Sequence, residues 1–239
     1  MKPADRNLIA QEITEKLKSD EDVLAVALCG PETPRGADGV QSLELLVVVS
    51  RMPFDLDMFG RKKTTHQGST ATLSFARPER LRTAIDDEAG CWFTSGKILY
   101  GKSLHDPGGV LADLRRAVNS VPKEKRMAAF RLLFREACEF PAILTRAGTE
   151  RKRHDEVTLL GDNPAFVRTL FLVNGKPPRS EETLLDDVME LERLPQGIEV
   201  ITGLMNEFDR YAPMTMKFKR AEREYSRIMM GIERLADSM

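Results

Sequence analysis

The side chains with chemical potential are scattered along this chain. Cys29, Cys91 and Cys138 are far apart, and no pair forms C-x-x-C. His66, His105 and His154 are equally separated, so no zinc-type cluster can be read from spacing. His154 stands beside Asp155 and has acid–base potential, but no nucleophile lies near it in sequence. Asp86-Asp87-Glu88 is a carboxylate run that could hold a general base or simply face solvent. Arg61-Lys62-Lys63 and Arg151-Lys152-Arg153 are short basic clusters able to hold phosphate or RNA, and also typical of solvated faces. There is no G-x-x-x-x-G-K-[ST], no G-x-G-x-x-G and no G-x-S-x-G, so neither a P-loop, a dinucleotide fingerprint nor a serine-hydrolase elbow is present.

The elements that must position these residues alternate before about residue 105 and turn helical after it. A first helix is expected over Asp5–Lys18, with Leu8, Ile9, Ile13 and Leu17 on one face. Val23–Cys29 reads as a buried strand, followed by the Gly/Pro-rich loop 30–39. Leu43–Val49 is nearly continuous in apolar residues, as expected of a central strand covered on both faces. Ser50–Ser69 reads as a loop, Thr70–Ala76 as a half-buried strand, Pro78–Ala89 as a helix, and Lys97–Tyr100 as a short extended segment. Helices follow over 110–121, over 127–144 with a kink at Pro141, from Pro164 to Asn174, after Ser180 as N-cap, over 198–208, and over 218–235. In the last, Phe218, Ala221, Tyr225, Ile228, Ile232 and Leu235 form a heptad-like stripe. It has two readings, packing onto the helical bundle or a homodimer seam through 215–238.

The order helix, strand, Gly loop, buried strand resembles the nucleotidyltransferase superfamily of DNA polymerase β-like and aminoglycoside nucleotidyltransferase proteins. Leu28-Cys29-Gly30-Pro31 stands where the family has apolar residues and Gly-Ser. Arg35-Gly36 stands where it has Arg-Gly. Ser42-Leu43-Glu44-Leu45-Leu46 stands where Asp-x-Asp opens a buried strand. The resemblance covers roughly residues 8–101. It implies an α/β (α+β) nucleotidyltransferase-like sheet domain over 1–105, followed by an all-α helical domain over 106–239, with a nucleotide-shaped cleft between them. It also implies Mg²⁺ and a nucleoside triphosphate as cofactor and substrate, with Gly30, Arg35, Gly36 and Ser42 at the nucleotide and Glu44 as catalytic residue and metal ligand.

Family chemistry uses two divalent ions, which want several converging carboxylates. The family takes two of these from positions i and i+2 of one strand, which share a face. Here those positions are Ser42 and Glu44, and the next strand offers only Thr70, Thr72 and Ser74. Pro31 replaces the family serine and also lacks an N–H. Asp55-Leu56-Asp57 is a second D-x-D, either a relocated metal pair or a solvated turn. Three functions follow as expectations. One is a degenerate member that binds a nucleotide or other small molecule in a regulatory role. Another is a working Mg²⁺-dependent nucleotidyltransferase using Glu44 with Asp55 or Asp57. The third is an interaction protein dimerising through its last helix.

Composition sets the frame. Lys and Arg number 36 against 37 Asp and Glu, a balance that argues against a generally basic nucleic-acid coat or a polybasic membrane surface. No run approaches 18 apolar residues and the start lacks an apolar signal core, so the chain is expected to be cytoplasmic, without a membrane span.

Overall fold

A computed structural model describes residues 3–30, 43–56, 60–66, 69–150, 164–180, 183–198 and 214–238. Arg35, Gly36, Ser42, Asp57, the Arg151–Arg153 cluster, His154 and most of the helix expected over 198–208 lie outside them.

The centre is a five-stranded mixed sheet, ordered β3-β4-β2-β1-β5. Its strands are β1 (Val23–Cys29), β2 (Leu43–Val49), β3 (Arg61–His66), β4 (Ser69–Ala76) and β5 (Lys102–His105). β2 runs antiparallel to β1 and parallel to β4, which places the most apolar run in the middle. One face packs on α1 (Pro3–Leu17) through Ile9, Ala10 and Ile13, against Val26, Leu45, Val47, Leu73 and Phe75. The other face packs on α2 (Pro78–Asp87), α3 (Phe93–Tyr100) and α4 (Val110–Asn119). There Ala25, Ala27, Cys29, Leu46 and Val48 meet Leu81, Ile85, Ile98, Leu111 and Leu114. Burying these side chains contributes on the order of 1.5–3 kcal/mol for each large aliphatic group.

Three sequence expectations change. Residues 61–66, expected as loop, form strand β3. It is an edge strand held by backbone bonds to β4, and its exposed Arg61, Lys62 and Lys63 leave no apolar alternation to read. Lys97–Tyr100, expected as extended, belongs to helix α3; the strand is the next segment, β5. The cause is upstream, where the Glu88 carboxylate accepts the N–H groups of Thr94 (3.0 Å) and Ser95 (2.8 Å) and so caps the first turn of α3. On α1 Leu8, expected on the buried face, is exposed, while Arg6 is buried at 4% exposure.

The chain divides into two compact units: Met1–Val121 with Pro177–Asp187, and Pro122–Lys176 with Val188–Met239. The sequence reading divides it near 105. α4 falls in the first unit because Leu111, Leu114 and Val118 complete the core on the sheet's second face. Within the returning segment, the Ser180 hydroxyl accepts the Thr183 N–H (3.2 Å), as expected of the cap before α7 (Leu184–Met189). Arg179 is joined to Asp187 through both its N–H (2.6 Å) and its guanidinium (2.5 Å).

The second unit contains α5 (Lys123–Glu150), α6 (Pro164–Asn174) and α8 (Met214–Asp237). Phe166, Val167, Leu170 and Phe171 are buried, as are Tyr225, Ile228 and Ile232 of the heptad-like stripe. The Tyr225 ring lies 5.3 Å from that of Phe166. α5 runs through Pro141, which has no N–H to offer the carbonyl four residues earlier. That carbonyl belongs to Ala137, and the Tyr225 hydroxyl donates to it at 2.7 Å. Among the described residues, no helix is long and apolar enough to cross a membrane.

Candidate functional site

Glu44 is the second residue of β2 and faces the helices α2–α4, as its alternation with the buried Leu43 and Leu45 requires. Its Cα partners are Cys29 on β1 and Thr72 on β4. Ser74, two residues further along β4, donates its hydroxyl to Glu44 Oε1 at 3.0 Å. Lys97 of α3 places Nζ 2.6 Å from the same oxygen. The two charged side chains are 24% and 23% exposed, a half-buried setting in which an ion pair is shielded from much of the solvent.

The position of Lys97 is fixed by the ends of its short helix. Glu88 holds the first turn, as above, and its other bond to the Ser95 hydroxyl (2.9 Å) tightens that hold. At the far end Arg115 of α4 donates Nε to Ile98 O (3.0 Å) and a terminal nitrogen to Gly101 O (2.5 Å). An arginine on the last carbonyls of a helix satisfies acceptors that have no intrahelical partner. In the middle, Gly96 leaves room for the main chain of Pro178, whose carbonyl oxygen would sit 1.8 Å from a Cβ at residue 96.

Cys29 ends β1 beside this pair. Burial pushes its thiol up to about 12; the Glu44 carboxylate adds to the rise, and Lys97 and Arg6 oppose it. The same residue's carbonyl accepts the Arg6 guanidinium at 2.5 Å. Gly30 follows at φ +86°, and a Cβ there would meet the Arg6 guanidinium at 3.4 Å. Arg6, Glu44 and Lys97 thus converge on the last residue of β1, where the Gly loop begins.

The thiol makes a direct prediction. At pH 8 a disulfide reagent such as Ellman's should find one accessible thiol in the native protein, the exposed Cys138, with Cys29 and Cys91 reacting only on unfolding. Because the folded Cys29 holds its proton above the ordinary 9.0, its contribution to stability is complete below about pH 9 and is lost as pH rises toward about 12. Its loss should have a slope of up to about 1.4 kcal/mol per pH unit. Chemical unfolding at pH 8, 9.5 and 11, compared with Cys29→Ala, measures it. Identical pH dependence in the two proteins would refute the assignment.

The other sequence candidates separate from this site. Asp55 is exposed and paired with Lys62, whose hydrogen bond holds its carboxyl below the usual range. Lys62 lies opposite the buried Leu73, on the α1 side of the sheet, away from Glu44. Glu88 is engaged with backbone N–H groups, so the acidic run 86–88 contributes a helix cap.

Among the described residues around Glu44, the donor set does not suit divalent ions. Among the described residues no group of three His, Cys, Asp or Glu side chains could hold a metal. The strand neighbours Thr72 and Ser74 are uncharged, and an ammonium already occupies the Glu44 oxygen that Ser74 also reaches. Hard divalent cations need several anionic oxygens at one point, and among the described residues this point offers one carboxylate with a cation upon it.

Comparison with known proteins gives a partial likeness to solved structures. No protein family matches the sequence, and no curated protein does. Among solved structures the chain is similar to a nucleotidyltransferase-like protein from Exiguobacterium sibiricum 255-15, at 12% identity and a TM-score of 0.43, covering 97% of this chain and 74% of that one.

Lys97 and Arg6 are the site residues that sequence reasoning missed. Arg6 could be found by phase, since it is three residues before Ile9 and seven before Ile13, on the buried face of α1. Lys97 has no comparable signal while its segment reads as extended. Only the need of a lone half-buried carboxylate for a counter-ion points to some lysine or arginine.

Proposed function

We propose that the protein is a nucleotidyltransferase-like protein with a degenerate metal site that binds a nucleotide and acts by binding, in regulation. The observation that carries this reading is the Lys97–Glu44–Ser74 cluster. It stands where the resemblance calls for converging carboxylates, and it replaces them with one carboxylate, one hydroxyl and one ammonium. Such a cluster can bind and orient an anion but offers no carboxylate pair to bridge metal ions to a triphosphate. The framework around it supports retention of a binding fold, because the Gly30 turn and the buried β1–β2 pair of the resemblance are intact.

The test is a thermal-shift titration with ATP, GTP, CTP and UTP in Mg²⁺ buffer, beside a coupled assay for pyrophosphate release. At least one nucleotide should raise Tm, and pyrophosphate should not exceed the protein-free rate. Pyrophosphate release that disappears in Glu44→Ala would replace this reading with an active transferase.

A further inference from the structure

Helix α3 carries Lys97 but is lightly anchored. Of its eight residues, Ser95, Gly96 and Ile98 are buried, so a single large aliphatic side chain fixes it in the core. A helix this short has little stability of its own, and its place depends on what packs against it. At Gly96 that neighbour is the Pro177-Pro178 main chain. A Cβ at residue 96 would lie 1.8 Å from the Pro178 carbonyl oxygen, 3.0 Å from its carbon and 3.7 Å from Pro177 Cβ. Both prolines are buried, and their rings fix φ, which stiffens this stretch.

The residue after Pro178 is fastened to the end of the same segment by one carboxylate. Asp187 Oδ2 accepts the Arg179 N–H (2.6 Å) and the Thr183 hydroxyl (3.0 Å), and Oδ1 accepts Arg179 Nε (2.5 Å). The Asp187 side chain is 5% exposed, so these donors do the work that water does for a surface carboxylate. The Ser180 hydroxyl accepts the Thr183 N–H, and the segment closes on itself around a buried anion. Helix α3 in turn covers Cys29. The Lys97 carbonyl accepts the Cys29 thiol at 3.7 Å, and a Cβ at Gly101, just past the helix, would lie 3.4 Å from Cys29 Sγ.

We infer that residues 177–180 with 183–187 form a strap that holds α3 over Cys29 and beside Glu44, with the Asp187 carboxylate as its fastening. Release of the strap lets α3 unfold locally, parts Lys97 from Glu44 and admits solvent to the thiol. Asp187 and Pro178 are positioning residues, acting on the site through Gly96. The inference goes beyond the nucleotide-binding reading and does not depend on what the site binds.

Hydrogen exchange and thiol labelling of the full chain test it. In the unaltered protein the Gly96 and Gly101 amides, bonded to Trp92 O and Lys97 O, should exchange through the same opening as the Arg179 amide. Their protection should agree within about threefold and fall equally in low urea. Asp187→Asn keeps the side-chain shape and removes the charge. It should speed both the α3 exchange and iodoacetamide labelling of Cys29 about tenfold or more, while β2 and β4 stay within about twofold. Peptide mass spectrometry separates Cys29 from Cys91 and Cys138. Gly96→Ala presses on the strap from the helix side and should act in the same direction. Ile13→Ala lowers general stability from the opposite face of the sheet and should leave Cys29 labelling within about twofold. Separate openings for Arg179 and α3 in the unaltered protein would overturn the inference. So would faster exchange at Arg179 in Asp187→Asn with α3 and Cys29 unchanged, because the segment would then move without the helix. Equal acceleration in Ile13→Ala and Asp187→Asn would also overturn it, because general unfolding would then expose the thiol.

Discussion

Lys97→Met should destabilise the first unit by about 2–3 kcal/mol, more than the loss of an ordinary exposed ion pair, which is worth about 0–1 kcal/mol. The reason is what it leaves behind. Glu44 would keep a charge in a setting only 24% exposed, with the Ser74 hydroxyl as its remaining close partner among the described residues. Breaking a fully buried pair costs about 3–5 kcal/mol, and the remaining solvent contact lowers that figure here. Glu44→Gln alone should cost less, about 1–2 kcal/mol, since a lysine can reach water along its flexible stem. The double variant should recover much of the loss. Trp92, the one tryptophan of the chain, immediately precedes α3 and gives a local fluorescence signal for denaturant unfolding. Strict additivity of the two single substitutions would show that the pair is not coupled.

Gly96→Ala should lower Tm, against the ordinary rule. An alanine inside a helix is usually about 1 kcal/mol better than glycine. Here the added methyl would lie 1.8 Å from the Pro178 carbonyl oxygen and 3.0 Å from its carbon. That neighbour is backbone and cannot rotate away, so the segment 177–187 must shift from α3. A net loss of about 2–4 kcal/mol is expected, typical of overpacking at a tight contact. The sign decides the matter, because a rise in Tm would mean that the returning segment does not sit on α3. The same variant should also weaken the hold on Lys97, its immediate neighbour, and so loosen its contact with Glu44.

The central strands were readable because burial on both faces forces an apolar composition. Val23–Cys29 and Leu43–Val49 agree at both ends with the sequence reading. β3 was unreadable because an edge strand takes its stability from main-chain bonds to one neighbour, and the exposed Arg61-Lys62-Lys63 shows no apolar alternation. α3 misled for a different reason. Ile98, Leu99 and Tyr100 fit a strand locally, and the choice of helix rests on Glu88 and Arg115, both remote from that run. The candidate site shows the same split. Glu44 was legible from its place after the Gly loop, as were the uncharged positions on β4. Their partner on α3 was not, since it meets Glu44 across 53 residues of chain and through a helix that local pattern does not reveal.

The hydrogen bond from Tyr225 to Ala137 has a consequence for how the chain is made. The two residues are 88 positions apart, and the bond supplies a donor that Pro141 cannot. As synthesis proceeds from the N-terminus, α5 emerges well before Tyr225 and must wait with that carbonyl in water. Closure of the second unit is therefore a late, long-range event, slowed by the entropy of bringing distant segments together. During that interval Phe166 lacks the Tyr225 ring that packs against it, so the nascent chain is most open to aggregation or to a chaperone after α6 has left the ribosome and before α8 has followed.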